Sequence, residues 1–316
     1  MPFDKLKATV KNIAMGSEIS DLVAAELSEP VDARVTAMAA AIAAQHPGSR
    51  AVLFYGSCLR EAQLDGLMLD FYLIVADYRA AYPRRWLVAA NRLIPPNVFP
   101  FEHGGLIAKY AVLSEADFHR LNGPETHNVS VWARFSQPSR LVWTADDVAR
   151  DAAVAAVARA APTLLWSVAG LDPEVSNHGK LRDADPLRHW RRGFAMTYTA
   201  ELRSERAGRA ASVVDADPDR YARFGPPAEA VAWSWQPPLG ARVRWQWHRR
   251  RIEGKALSVI RLAKAAFTYA GGIDYLAWKI NRHAGADISI TPWMRRWPLA
   301  AALVLVPRLM WRGAIR

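Results

Sequence analysis

The sequence contains a single cysteine, Cys58, so it can form neither an intrachain disulfide nor a multi-cysteine zinc site. Its eight histidines show no HExxH motif or other metal-ligand spacing, which argues against a zinc enzyme. The apolar run that ends at residue 307 is about half of the roughly 20 residues needed to cross a bilayer. The first twenty residues lack the apolar block of a secretion signal, and we expect them to belong to the mature protein.

Acidic residues are scarce in the second half of the chain. Of 316 residues, the first 150 hold 15 Lys/Arg against 16 Asp/Glu, whereas residues 151–316 hold 26 against 14. This one-sided excess accounts for the formal charge of +11. It predicts a polyanionic partner, either nucleic acid or the phosphate-bearing surface of a membrane.

The pattern of apolar residues predicts three regions. Residues 1–145 alternate strands, at 51–55, 67–75 and 106–113, with helices such as 28–45, which indicates an α/β domain with a sheet flanked by helices. We expect 95–105 to be a loop and Ser114 and Thr144 to open helices. Residues 146–235 are predicted to be mostly helical, with a Pro/Gly-rich linker at 225–240. Residues 236–316 form a basic, tryptophan-rich region.

Chemistry is indicated where the first two strands meet. Gly56-Ser57 follows a strand directly, and such a turn lets backbone N–H groups and a hydroxyl approach phosphate oxygens. Asp70 lies among apolar residues of the second strand. A carboxylate there is costly unless a cation or strong hydrogen bonds compensate it, or unless it lies at a strand end. Together the two features predict a site that binds phosphate.

These segments resemble the polymerase-β-type nucleotidyltransferase superfamily. Within it they are similar to the mitochondrial translocator-maintenance family of phosphatidate cytidylyltransferases. The resemblance rests on four segments, which are Tyr55-Gly56-Ser57, Met68-Leu69-Asp70-Phe71, LIAKYAVLS at 106–114 and WARFSQP at 132–138.

The resemblance implies that region 1–145 is a nucleotidyltransferase domain that converts CTP and phosphatidic acid to CDP-diacylglycerol and pyrophosphate in phospholipid biosynthesis. It implies that Tyr55, Gly56 and Ser57 bind the nucleotide together with Lys109 and Arg134, that Asp70 and Lys109 are catalytic, and that Asp70 helps to hold Mg²⁺. It also implies a peripheral enzyme at the cytoplasmic face of the bacterial inner membrane or the matrix face of the mitochondrial one.

The sequence departs from the family at two positions. Tyr72 stands where the superfamily has a second carboxylate, and Cys58 stands where the family has a glycine. Candidates for the missing metal ligand are Asp65, Glu102, Glu115 and Asp117. Two residues also have ordinary alternatives, since Lys109 could be a surface lysine on an edge strand and Arg134 could form a surface salt bridge.

The basic C-terminal region is predicted to bind an anionic membrane, although a solvated helix face is the simpler alternative. The candidate lipid contacts are Arg249, Arg250, Arg251, Lys255, Trp293, Trp297 and Trp311. Two other functions stay open. One is a nucleotidyltransferase with a non-lipid acceptor such as RNA, a small alcohol or a protein, and the other is a non-catalytic protein that binds nucleic acid. No nucleic-acid partner is expected under the leading hypothesis.

Overall fold

A five-stranded mixed sheet forms the centre of the molecule. The computed structural model describes residues 16–60, 64–171, 185, 187–201, 209–268 and 291–296. Its strands are β1 (Ser49–Tyr55), β2 (Met68–Val75), β3 (Asn97–His103), β4 (Leu106–Ser114) and β5 (Ser139–Thr144), in the order β3-β4-β2-β1-β5. β2 and β4 are parallel, and the other neighbouring pairs are antiparallel. The predicted α/β class is confirmed.

In the first half of the chain, the helix predicted at 28–45 begins later than expected. The helices of this half are α1 (16–27), α2 (Ala33–Ala44), α3 (Tyr78–Ala81), α4 (Arg85–Leu93), α5 (Glu115–Leu121) and α6 (Trp132–Phe135). The expected helix 28–45 begins later, because Asp32 and not Ser28 is its N-cap and accepts a hydrogen bond from the Arg34 amide at 2.8 Å. Ser28 instead follows α1 and donates to the Ala25 carbonyl.

The segment predicted as a loop at 95–105 contains an edge strand. Gly104 and Gly105, both with positive φ, form the turn that lets β3 pair back onto β4. Pro100 lies within β3, and an edge strand tolerates proline because one row of its backbone groups needs no partner. The prolines and glycines that suggested a loop therefore mark the turn and the edge of the sheet.

Ser114 caps α5 as predicted, because its hydroxyl accepts a hydrogen bond from the Asp117 amide at 3.2 Å. The prediction for Thr144 was wrong. It ends β5, and Asp146 caps the next helix by accepting from the Ala149 amide at 2.7 Å.

Side chains of β2 pack on both faces of the sheet, as their hydrophobicity predicts. Phe71 and Leu73 share one core cluster with Met38 of α2. Tyr72 belongs to the other cluster and lies 5.2 Å from the ring of Phe135. Because side chains alternate along a strand, Asp70 lies on the same face as Tyr72, toward the helical half of the molecule.

Helices dominate the described part of the second half of the chain. They are α7 (Asp147–Ala158), α8 (Ala160–Val168), α9 (Arg188–Ala200), α10 (Arg209–Asp215), α11 (Pro218–Ser234), α12 (Ala241–Thr268) and α13 (Pro292–Arg296). The linker predicted at 225–240 was wrong for residues 225–234, which continue α11. Tyr221, Phe224, Ala228 and Ala232 recur at helical spacing and are buried, so packing of this face holds the helix despite its prolines.

Buried contacts tie the helical half to the rest and also hold its own helices together. Arg220 of α11 forms an ion pair with Glu26 of α1, both side chains being about 95% buried, and also donates to the Ser136 carbonyl. Trp247 of α12 is fully buried and donates its indole N–H to the Ser167 carbonyl at 2.7 Å. α12 also packs against α9 and β3. The first part of the basic region is therefore docked onto the sheet and the helices.

Candidate functional site

The turn after β1 brings the glycine and the buried carboxylate together. Gly56 has φ +98°, a conformation that side chains disfavour, and a helical turn from Ser57 to Arg60 follows it. Tyr55 pairs with Asp70 in the β1–β2 register. A β-carbon added at Gly56 would lie 3.5 Å from the Asp70 Oδ2 atom. The Asp70 carboxylate therefore faces this glycine corner.

Lys109 supplies the cation that the buried carboxylate requires. The parallel register of β2 and β4 sets Asp70 beside Lys109, and the Nζ and Oδ1 atoms are 2.7 Å apart. The two side chains are 28% and 24% exposed for Lys109 and Asp70 respectively. β4 lies between β3 and β2, so Lys109 is not on an edge strand. The ion pair fixes the ammonium group at the glycine corner.

The side chains at this corner do not fit a Mg²⁺ ion held by the protein. Three candidates for a second carboxylate ligand form ion pairs elsewhere: Asp65 with Arg34, Glu115 with Arg50 and Asp117 with Arg120. The fourth, Glu102, is exposed on β3. Across the described ranges there is no cluster of three or more His, Cys, Asp or Glu that could hold a metal. Asp70 is itself already paired with a lysine.

A cavity of about 150 Å³ opens beside the corner, between the sheet, α6 and α12. Tyr55, Tyr72 and the apolar side chains of Val98 and Ala111 form part of its wall. Four cationic side chains also line it: Lys109, Arg134, Arg261 and Lys264. The cavity thus combines apolar and aromatic walls with several positively charged side chains.

Arg134 enters the cavity from α6 and stays charged. It donates to the Ser130 carbonyl, and its Nη1 atom lies 3.6 Å from the carboxylate of Glu201, which is only 9% exposed. Burial by itself lowers the pKa of Arg134. The negative charge of Glu201, together with smaller contributions from Tyr72 and Tyr55, outweighs this effect, so the pKa is raised. Arg134 therefore forms an ion pair, and this pair lies at the cavity instead of on an open surface.

Arg261 and Lys264 reach the same cavity from α12. Arg261 donates to the Pro95 carbonyl through Nε and Nη2, at 3.0 and 2.7 Å, and to the Ser130 hydroxyl at 3.0 Å. Lys264 donates to the carbonyls of Ile94 and Pro96. Within the described part of the chain, neither side chain forms an ion pair with a carboxylate.

Burial perturbs both of these basic groups. It lowers the pKa of the Arg261 guanidinium. Burial, together with the neighbouring charge of Arg261, lowers the pKa of Lys264 to about 7. Neither residue was predicted as a site residue, because the sequence shows them only as two of many basic residues in region 236–316. Their spacing of three residues places them on one helix face, but that spacing does not reveal what the face contacts.

The four basic residues predicted to contact lipid separate into one buried and three accessible side chains. Arg250 is only 1% exposed and lies against the rings of Trp166 and Trp247, and its burial lowers its pKa to about 10. This location contradicts a headgroup contact for Arg250. Three residues are accessible: Arg249, which pairs with Glu253, and the exposed Arg251 and Lys255.

Of the three predicted interfacial tryptophans, Trp293 is 44% exposed on α13. Trp297 and Trp311 lie outside the described residues. Among the helices that are described, none combines the length and the apolar character that crossing a membrane requires.

Comparison with known proteins does not place the chain in a family. No protein-family model matches it, and no curated protein matches it. A nucleotidyltransferase-like protein from Exiguobacterium sibiricum is similar over 89% of this chain and 91% of its own, at 14% identity and a TM-score of 0.27. A TM-score this low does not establish a common fold.

Proposed function

We propose that the protein is a nucleotidyltransferase that acts on an acceptor carrying a phosphate group. The observation that carries this proposal is the cationic cavity beside Gly56. Lys109, Arg134, Arg261 and Lys264 line it, and among the described residues only the first two have carboxylate partners. Nucleotidyl transfer brings a triphosphate next to an acceptor, and closely placed cations offset that charge as pyrophosphate leaves.

We further propose that the nucleotide is CTP and the acceptor is phosphatidic acid. This choice is supported by the segments at 55–57, 68–71, 106–114 and 132–138 that resemble phosphatidate cytidylyltransferases. An oxygen of the lipid phosphate attacks the α-phosphorus of CTP. The bond between that phosphorus and the oxygen that bridges the α- and β-phosphates breaks. CDP-diacylglycerol and pyrophosphate are the products. The attacking phosphate is already ionised at neutral pH, so the step needs no general base.

The protein groups have defined tasks in this scheme. Gly56 and Ser57 bind the triphosphate through backbone N–H groups and the hydroxyl. Lys109 neutralises phosphate charge, and Asp70 positions Lys109 through their 2.7 Å ion pair. Mg²⁺ is added with the nucleotide in the assay, and when bound it would neutralise triphosphate charge; the described residues contain no cluster of three or more His, Cys, Asp or Glu that could hold it.

We propose that attachment to an anionic membrane delivers the lipid acceptor. It is supported by one face of α12, where Trp245, Ile252 and Ile260 are 60%, 58% and 43% exposed. Arg251 and Lys255 are exposed on the same helix. Basic residues near anionic headgroups contribute on the order of 1 kcal/mol each, and embedded apolar side chains add to this. We propose the cytoplasmic face of a bacterial inner membrane, or the equivalent matrix face.

The transfer assay combines purified protein, labelled CTP, Mg²⁺ and vesicles that contain phosphatidic acid. We expect labelled CDP-diacylglycerol, and we expect Lys109→Met and Asp70→Asn to lower its rate by about 100-fold or more. Asp65→Asn is the matched control, since Asp65 is exposed and pairs with Arg34 away from the cavity. Absence of product with every ribonucleotide, or full activity of Asp70→Asn, would contradict the proposal.

Three further experiments distinguish the classes of acceptor and partner. Product formed equally well from a soluble phosphate or hydroxyl acceptor without vesicles would favour a non-lipid transferase. Vesicle flotation tests the α12 face, with Ile252→Ser expected to weaken binding and Val148→Ser as control, because Val148 is 70% exposed on a different helix, α7. An RNA gel shift at the same salt concentration tests the nucleic-acid alternative.

A further inference from the structure

The charges around the cavity do not balance. Asp70 compensates Lys109 and Glu201 compensates Arg134. In the described ranges Arg261 and Lys264 form no ion pair and donate hydrogen bonds only to neutral oxygens, although the Glu201 charge also acts on Arg261. Partly buried cations without counter-ions are costly, because desolvation disfavours the charged form. An anion from outside the chain would remove this cost.

Donor groups are available for such an anion. The hydrogen bonds of Arg261 use three of the five guanidinium N–H groups, and those of Lys264 use two of its three. Arg261 and Lys264 share one face of α12, and Lys109 and Arg134 line the same cavity from β4 and α6. An oxyanion in the cavity is therefore within reach of donors from more than one side.

The size of the cavity limits the ligand. Pockets that enclose drug-sized molecules span roughly 300–1,000 Å³, and this cavity of about 150 Å³ is smaller. A single phosphate group matches it better than a whole nucleotide. Arginine is also well suited to phosphate, because its planar donors bind two oxygens at once.

We propose that this cavity is a metal-independent binding site for a phosphate dianion, with Arg261 and Lys264 of α12 as its ligands. The dianion is inorganic phosphate or the terminal phosphate of a larger molecule, since both present the same oxygens. Arg261 and Lys264, which have no carboxylate ion pair in the described ranges, offset the charge that a metal ion offsets elsewhere. The inference goes beyond the proposed transferase, because phosphate binding requires no turnover.

Binding is measured by isothermal titration of the full chain with inorganic phosphate in EDTA, at constant ionic strength. We expect saturable binding that Arg261→Gln weakens by about tenfold or more, since hydrogen bonds to charged groups are strong. Lys264→Met should weaken it similarly, and Arg261→Lys should restore part of it. Arg242→Gln is the matched control, because it removes one charge from an exposed position of the same helix.

Three results would overturn the inference: no binding of phosphate, binding that requires Mg²⁺, or an affinity that Arg261→Gln and Arg242→Gln reduce equally. Thermal unfolding of each variant shows whether it is folded. If Arg261→Gln does not fold, the comparison of Arg261→Lys with Arg242→Gln decides the question.

The source of the phosphate is identified by repeating the titration with glycerol 3-phosphate, dioctanoyl phosphatidic acid and CTP. The compound whose affinity falls in Arg261→Gln uses this site, and an effect on inorganic phosphate alone assigns the site to free phosphate. The transfer assay is scored separately. Phosphate binding without nucleotidyl transfer would reject the proposed function and support this site. Nucleotidyl transfer together with unaltered phosphate binding in Arg261→Gln would support the proposed function and reject this site.

Discussion

The acid–base behaviour of Lys264 offers a direct test of the cavity. Lys264 has a pKa of about 7 in the folded chain, against an ordinary value of 10.5. Between these two pH values the unfolded chain binds a proton that the folded chain does not. The free energy of unfolding therefore rises with pH across this window, and this contribution is lost as the pH falls toward 7. Below pH 7 both states are protonated, and the slope from this residue vanishes.

The size of the effect follows from one proton. Well inside the window, the free energy of unfolding should rise by up to about 1.4 kcal/mol per pH unit, or about 2 kcal/mol between pH 7.5 and 9. Other groups contribute their own slopes, so the informative quantity is the difference between the wild type and Lys264→Met. The charged and titratable groups that line the cavity with Lys264 are Arg261, Arg134, Lys109, Tyr55 and Tyr72.

The assay is chemical unfolding followed by tryptophan fluorescence at several pH values. Lys264→Met should lose the slope, and Lys255→Met should keep it, because Lys255 is exposed on the same helix. A lysine side-chain NMR titration provides a second measurement, since the chain has only eight lysines and Lys264→Met identifies the signal near pH 7. Saturating phosphate should move that signal to higher pH. Parallel stability curves for wild type and Lys264→Met would refute the reasoning.

Three further changes test the backbone and the packing. Gly56→Ala should cost about 1–2 kcal/mol through its positive φ and also weaken CTP binding, whereas Gly66→Ala, at φ +77° with nothing nearby, should leave CTP binding intact in titrations. Arg220→Ala leaves a buried glutamate on α1 unpaired and should lower the free energy of unfolding by about 3–5 kcal/mol in denaturant titrations. A loss below 1 kcal/mol would show that the pair is dispensable. Asp146→Ala removes the cap of α7 and should cost about 1 kcal/mol, while Asp147→Ala, 85% exposed, should cost clearly less in the same titration.

Local sequence patterns were sufficient to predict three strands of the sheet and the part of the site formed by Gly56 and Asp70. The apolar runs of β1, β2 and β4 predict strands because period and composition act over a few neighbouring residues. The position of Asp70 within β2 predicted a compensating partner, and the structure supplies Lys109. The same reasoning was wrong for β3, because prolines and glycines mark both loops and edge strands, and only the pairing with β4 distinguishes them.

The other half of the site depends on contacts between residues that are far apart in the sequence. Arg250, Arg251 and Arg261 belong to one basic helix, yet the first is buried against tryptophan rings, the second is exposed and the third lines the cavity. Composition does not distinguish these three arginines, because it gives their charge but not which side of the helix packs against the rest of the protein. The sequence alone therefore determined strands β1, β2 and β4, the glycine corner and the basic character of the second half. Only the tertiary structure decided which cations face the phosphate-sized cavity, because that depends on how α12 docks against β3 and α9.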